Sequence, residues 1–214
     1  MPEIVLATRN KGKIRELKSV LKKVQPDIQI LGLEDFPEMG GIPETGSTFA
    51  ENALQKARAV CAHTKRISLA DDSGLVVPAL DGEPGIFSAR YSGRNASDQE
   101  NNRKLLKEME QMDGDMRRAH FACVLAACAP NGETTLAEGK WEGRITTAPA
   151  GDNGFGYDPL FWDTELGCTA AEMSTQEKIE RSHRSRALHR LLDLWPEFWQ
   201  RADQGRGYTE PTSP

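Results

Sequence analysis

The stretch 67-ISLADDSGLVVP-78 decides how the rest of this chain is read. Its apolar positions suggest a buried strand. Two adjacent carboxylates, Asp71 and Asp72, interrupt the run. Like charges repel, and a desolvated carboxylate is costly. A strand relieves part of the conflict, because successive side chains point to opposite faces. One carboxylate is then free to face a cleft, where water or a cation meets it. The other needs hydrogen-bond donors on the far side. Ser73-Gly74 reads as a place where the chain turns away.

Outward from this strand, helical and extended patterns alternate. Residues 3–8 read as a first strand and 28–31 as a second, and over 13–24 Ile14, Leu17, Leu21 and Val24 share a helical face. Three capping boxes, Thr48…Glu51, Ser97…Glu100 and Ser174…Glu177, open helices. Residues 117–129 and 134–146 predict two long strands with a turn at Pro130-Asn131-Gly132. In the closing helix Leu188, Leu191, Leu192, Trp195, Phe198 and Trp199 face the core, with a kink or restart expected at Pro196. An interior proline costs about 3 kcal/mol. Crossover helices with a long hairpin imply an α/β fold with a mixed sheet. Residues 1–200 read as one domain and the polar residues 201–214 as a frayed tail.

Bulk properties exclude some functions. A net charge of −5 argues against a general nucleic-acid binder. The longest apolar run, Phe121 to Ala129, is too short to span a bilayer. No basic stretch followed by a long apolar segment opens the chain, so the cytoplasm is the expected location. Cys61, Cys123, Cys128 and Cys168 form no C-x-x-C and read as reduced, mostly buried thiols. Alternation sends Cys123 and Cys128 to opposite faces.

Three segments carry candidate chemistry. In 8-TRNKGK-13 a strand end passes through a polar loop into a helix start. Helix N-termini attract anions. Thr8 and Asn10 add donors there, and Arg9, Lys11 and Lys13, around Gly12, add charge. The spacing is not that of a Walker A loop, and a solvated turn is the bland alternative. In 44-ETGSTFAENALQKA-57, Phe49, Ala53, Ala57 and Val60 define a buried face into which Asn52 and Lys56 fall. A lysine in an apolar stripe either points into a cleft or snorkels past the helix edge. Glu44 with Asp71 and Asp72 makes an oxygen-only set suited to Mg²⁺ rather than zinc. In 151-GDNGFGYDPLF-161, glycines let the backbone approach a ligand, and Phe155 and Tyr157 suggest a stacking platform for a flat ring. Lys178 falls in the first turn of a helix, and 182-SHR-184 lies between two helical segments, offering fixed donors from His183 and Arg184.

In order from about residue 4 to residue 195, the segments ATRNKGK, ETGSTFAENALQKA, ADDSGL, PGIFSARYSG, GFGYDPLF and the closing EK…SHR…AL resemble the inosine/xanthosine triphosphate pyrophosphatase family. The resemblance implies an α/β fold of two lobes around a long mixed β-sheet with flanking helices and a substrate cleft between the lobes. It also implies a homodimer that needs Mg²⁺ and hydrolyses ITP, dITP and XTP to the monophosphate and pyrophosphate. Carried over by motif, Thr8, Asn10, Lys13 and Lys56 would hold the triphosphate, with Arg9, Lys11 and Gly12 in the same loop. Glu44 and Asp72 would hold the metal, and Asp72 would accept the proton of the attacking water. Ser73 would touch the substrate. Phe155 would stack on the base beside Gly156 and Tyr157, and Asp158, Lys178, His183 and Arg184 would line the base pocket. Donors from His183 and Arg184 would satisfy a purine 6-carbonyl and leave the amino group of adenine unpaired. The rivals are a pyrophosphatase for modified pyrimidine or 7-methylguanine nucleotides, and a nucleotide sensor without hydrolysis.

Overall fold

The computed structural model describes residues 3–24 and 26–204. In chain order the elements are β1 (Glu3–Leu6), α1 (Lys11–Val24), β2 (Gln29–Leu31), α2 (Phe49–Thr64), β3 (Ile67–Val76), α3 (Asp98–Glu108), β4 (Arg118–Cys128), β5 (Thr134–Ile145), β6 (Phe161–Asp163), β7 (Cys168–Thr169), α4 (Thr175–Arg181) and α5 (His183–Gln204). The strands form one mixed sheet in the order β2-β1-β3-β4-β5-β6-β7. β2 and β3 flank β1 in parallel, and every pairing from β3 onward is antiparallel. β3 is therefore the strand at which the sheet changes sense.

The carboxylate pair does not end β3. Pairing with β4 runs without interruption from Ser68↔Cys128 through Asp71↔Leu125 and Asp72↔Val124 to Val76↔His120. The turn expected at Ser73-Gly74 is absent, and Gly74 serves another purpose. A Cβ there would lie 2.4 Å from both Gly85 O and Ser88 Oγ. The missing side chain lets the short 3-10 helix Gly85–Arg90 lie directly on the strand. Ser88 Oγ fixes that contact, accepting the Leu75 N–H at 2.9 Å and donating to Gly85 O at 2.6 Å.

Alternation along β3 and β4 sorts the core. On one face Leu69, Cys123 and Leu125 pack with Leu17 and Leu21 of α1 and with Leu188, Leu191 and Phe198 of α5. On the other, Ala70, Val124, Ala126 and Cys128 pack beneath Ala53, Ala57, Val60 and Cys61 of α2. Beyond the carboxylates a third group forms the second lobe, with Leu75, Leu105, Met109, Phe121, Trp141 and Phe161. Its rings are in contact, Phe121 and Trp141 lying 4.5 and 4.9 Å from Phe161 between centroids. Each fully buried side chain of this size contributes about 1.5–3 kcal/mol. Cys123 and Cys128 do face opposite sides, as alternation requires. The Val24 side chain lies outside the described residues.

α5 runs unbroken from His183 to Gln204 with Pro196 inside it, so the helix does not restart there. The helix tolerates the lost N–H because Trp195 and Phe198, on either side of the proline, are held in the core. The helix also extends four residues into the stretch whose composition predicts a tail, and residues 205–214 lie outside the described residues. Among the described residues no helix is long and apolar enough to cross a membrane.

The start of α5 is pressed onto β5 at Gly139. A Cβ there would lie 2.1 Å from His183 O and 2.4 Å from Ala187 N. Backbone atoms cannot yield as a flexible side chain can. Gly139→Ala should therefore lower stability by at least about 1–3 kcal/mol, the range for overpacking. Urea denaturation measures this, and an unchanged midpoint would show that α5 is free to shift.

Candidate active site

Asp71 and Asp72 leave β3 on opposite faces and meet different partners. Asp71 is 1% exposed. Its Oδ1 lies 2.5 Å from Lys13 Nζ and accepts the Ser73 hydroxyl at 2.8 Å. Its Oδ2 accepts Arg184 Nε at 2.7 Å and Cys123 Sγ at 3.2 Å. Arg184 donates also to Ser73 Oγ at 2.9 Å and to Glu16, which uses three of its five N–H groups. Burial works against the Asp71 charge, but Arg184 and Lys13 outweigh it and hold the carboxyl well below the usual carboxylate range.

Asp72 faces α2. Lys56 Nζ donates to Asp72 Oδ1 at 2.7 Å, to Glu44 Oε1 at 2.9 Å and to the Asp71 carbonyl at 2.8 Å. At 7% exposed, Lys56 points into the cleft and does not snorkel. Asp72 Oδ2 is buried without a hydrogen-bond partner. Burial pushes the Asp72 carboxyl above its ordinary value, although Lys56 pulls the other way. Burial also opposes the charge on Lys56, yet Asp72 and Glu44 raise it. Glu44, opposed by burial, is lowered by Lys56, Lys13 and Arg90. The Glu44 loop is tied back to α2, since the Gly46 N–H donates to Asn52 Oδ1 at 2.8 Å.

The loop after β1 is organised by Asn10. Its Oδ1 accepts the Gly12 and Lys13 N–H groups at 2.9 and 3.1 Å, and Thr8 Oγ1 accepts the Asn10 N–H at 3.2 Å. Asn10 thus caps α1 and takes two of the donors that the sequence offers to an anion. Arg9 Nη2 donates to Met39 O at 2.6 Å, and Lys11 is exposed. Gly12 lies against Phe155, whose ring a Cβ would meet at 2.6 Å.

The glycine loop closes the other side. Gly154 and Gly156 have φ of +80° and +63°, in the left-handed region. Asp158 Oδ2 accepts the Phe155 N–H at 2.8 Å and Lys178 Nζ at 2.6 Å, and burial pushes this carboxyl up. Lys178 also pairs with Glu16 at 2.9 Å and sits 4.7 Å from the Phe155 ring centroid. Tyr157 is not part of a stacking pair. It is buried, and its hydroxyl donates to Ser88 O at 3.0 Å, bracing the loop against the 3-10 helix. Gly156 is held through its N–H to Asp98 Oδ2 at 2.7 Å and its carbonyl to Asn102 Nδ2 at 3.0 Å. His183 stacks on Phe121 at 4.8 Å with Nδ1 buried and unpartnered. Burial, then Arg184, hold it well below the usual histidine value, so the ring is neutral with one N–H and one lone pair.

These residues line two joined hollows. A cavity of about 240 Å³ is bounded by Thr8, Arg9, Asn10, Lys13, Glu44 and Lys56. Another of about 110 Å³ is bounded by Ser73, Phe121, Phe155, Tyr157, Asp158, Lys178, His183 and Arg184. Asn10, Lys13 and Ala89 border both. One end is charged and the other aromatic. The chain matches the Ham1 family over residues 4–194. It belongs to that family.

Two curated relatives and two solved structures match along nearly their whole length. A dITP/XTP pyrophosphatase of Nitratidesulfovibrio vulgaris is 53% identical over 203 residues, covering 92% of this chain and 97% of that protein. One of Geobacter sulfurreducens is 50% identical over 193 residues, covering 90% and 96%. A Ham1 protein structure from Coxiella burnetii superposes with a TM-score of 0.83 at 43% identity, covering 92% of this chain and 100% of that one. The Staphylococcus aureus Ham1 structure gives 0.80 at 42% identity, covering 91% and 98%.

Several residues of this Ham1 site escape sequence reading. Glu16 joins Lys178 to Arg184, and its only signal is a charge three residues after Lys13 and four before the buried Val20. Arg90, 3.4 Å from Glu44 Oε2, and Ser88 lie within PGIFSARYSG, but nothing local singles them out as site residues. Asp98, just inside the Ser97 capping box, looks like an ordinary acidic first-turn residue.

Asp71→Asn should cost about 3–5 kcal/mol at neutral pH, because it leaves Arg184 and Lys13 buried without their counter-charge. The pH dependence has a defined sign. A folded pKa held below the unfolded value of about 3.9 gives stability that is complete above that value and lost as pH falls through the folded pKa. Urea titrations across the acid range should show a shallower acid limb in the variant. An identical limb would assign acid unfolding to other carboxylates.

Proposed function

We propose that this chain hydrolyses the deaminated purine nucleoside triphosphates ITP, dITP and XTP to the monophosphate and pyrophosphate. The observation that carries the reading is the pair of joined hollows, with Lys13, Glu44 and Lys56 at one end, Asp72 bonded to Lys56 beside them, and Phe155, Phe121 and His183 at the other end. A triphosphate fits the first end and a flat base the second. Relatives named for that activity, identical at half their positions, support it.

Asp72 suits the role of proton acceptor. A carboxylate raised by burial is a stronger base than one in water, and its Oδ2 is unpartnered. A water held there attacks the α phosphorus, passing its proton to Asp72. Lys13 and Lys56 neutralise the phosphates, and their charge stabilises the departing pyrophosphate. Glu44 and Asp72 would hold Mg²⁺. Among the described residues no group of three or more His, Cys, Asp or Glu could hold a metal. Two carboxylates suffice for this ion, because Mg²⁺ keeps waters and takes substrate phosphates as its other ligands. When bound it would polarise the phosphoryl oxygens and offset the charge of the leaving group.

At the base end, Phe155 offers a face for stacking. Arg184 gives three of its five N–H groups to Asp71, Glu16 and Ser73, leaving two to act beside the neutral imidazole of His183. Its N–H serves a 6-carbonyl and finds only another donor on adenine. The same reading includes a cytoplasmic homodimer, which light scattering after size exclusion checks for assembly.

Pyrophosphate release from ITP, XTP, GTP and ATP, with Mg²⁺ and with chelator, tests the proposal. ITP and XTP should exceed ATP by up to about 10⁴-fold, as for a buried hydrogen-bond mismatch. Equal rates would sink the specificity, and release of orthophosphate would sink α–β cleavage. Asp72→Asn should lower kcat about 10²–10⁴-fold with circular dichroism unchanged. Near-normal turnover would remove Asp72 from the base role.

A further inference from the structure

Lys56 stands where the metal reading needs a cation. Its ammonium has three donors, and Glu44 at 2.9 Å, Asp72 at 2.7 Å and the Asp71 carbonyl at 2.8 Å take all three. No hydrogen remains for a phosphate, and the two carboxylates already share a buried positive charge. A divalent ion on the same two carboxylates would face that ammonium at short range beside the buried Asp72, where repulsion is only partly screened.

We propose that Lys56 and the divalent cation compete for the Glu44–Asp72 pair, and that the nucleotide ends the competition by drawing Lys56 onto its phosphates. The proposal rests on the Mg²⁺ reading given above. The cavity bounded by Thr8, Asn10, Lys13, Glu44 and Lys56 gives phosphate oxygens space within reach of the ammonium. The exchange needs only the flexible lysine stem to move. Asn52, one turn earlier on α2, keeps the Glu44 loop tied to the same helix through the Gly46 N–H. The unpartnered Asp72 Oδ2 marks where a metal gains its first hold. Lys56 thus acts as a resident stand-in cation. It keeps two carboxylates compensated in the empty enzyme and delays a complete metal site until substrate arrives. Linkage makes the effect reciprocal, so metal strengthens nucleotide binding by the factor that nucleotide strengthens metal binding.

Calorimetric titration of MgCl₂ into nucleotide-free protein decides the matter. Phosphates also ligate the ion, so the nucleotide-free arm is the diagnostic one. Lys56→Met should bind Mg²⁺ about tenfold more tightly than the unaltered protein, within the usual range of coupling factors. Lys56→Gln should change in the same direction, and circular dichroism verifies that each variant is folded. Unchanged or weaker Mg²⁺ binding in folded variants would overturn the competition. A crystal of the unaltered protein soaked in MgCl₂ alone needs no variant. Lys56 retained between the carboxylates without metal, or displaced by it, supports the proposal. A Mg²⁺ on both carboxylates with Lys56 still bonded to them overturns it. A parallel titration of the unaltered protein saturated with an α,β-methylene analogue of ITP separates the two readings. No Mg²⁺ binding with or without the analogue removes the metal site itself, and the competition with it. Equal binding in both states leaves the site and removes only the competition.

Discussion

A fully buried carboxylate needs positive charge from whatever surrounds it, and Asp71 draws that charge from two distant parts of the chain. Lys13 comes from the first turn of α1 and Arg184 from the start of α5. Each bond costs desolvation at both ends, so such an ion set is poor evidence for extra stability. What it gives is position. Arg184 is pinned between Asp71, Glu16 and Ser73, and Lys13 is held where the two hollows meet. The two hollows are built around the partners of this one carboxylate, and Asp71 itself borders the charged one.

The strand that carries it supplies the second constraint. Because β3 stays extended, Asp71 goes to the α1 and α5 face while Asp72 goes to the α2 face. A turn at Ser73-Gly74 would have brought the pair toward one side and forced them to share partners. Gly74 keeps the strand straight and admits the 3-10 helix that bears Ser88 and Arg90. Ser88 in turn holds Tyr157, so the position of the glycine loop depends on a missing methyl group in β3.

Much of this was legible in the sequence, and the reasons differ by element. Strand periods placed β4 and β5 within a residue or two, and a capping-box pattern placed the start of α2, because long segments repeat their signal and caps mark helix starts. Spacing after Phe49 put Asn52 and Lys56 on the buried face, but left open whether Lys56 enters the cleft or snorkels. Pro196 and Gly74 were misleading, since a local rule predicts a break and only tertiary packing shows why none occurs. The partners of Arg184 were beyond reach. Its contact with Asp71 spans 113 residues, and no local pattern announces it. Glu16 and Arg90 were missed for the same reason. Asn10 shows a subtler limit, because a residue suited to binding phosphate is equally suited to capping the helix and does so here.

Two aspartates of one strand, adjacent in sequence, end with opposite properties. Asp71 accepts from Arg184, Lys13 and Ser73, which hold it ionised far into acid. Asp72 is buried with one oxygen on Lys56 and the other bare, and its proton affinity rises. Environments that push like groups apart assign them different work. A group held ionised at neutral pH is fit to hold cations in place, and one with an unpartnered, more basic oxygen is fit to receive a proton from water. Had both residues faced the cleft, their mutual repulsion would have raised one at random with respect to the phosphate. Alternation along β3 removes that ambiguity, and so the placement of Asp72 on the α2 face is set by backbone geometry before any ligand arrives.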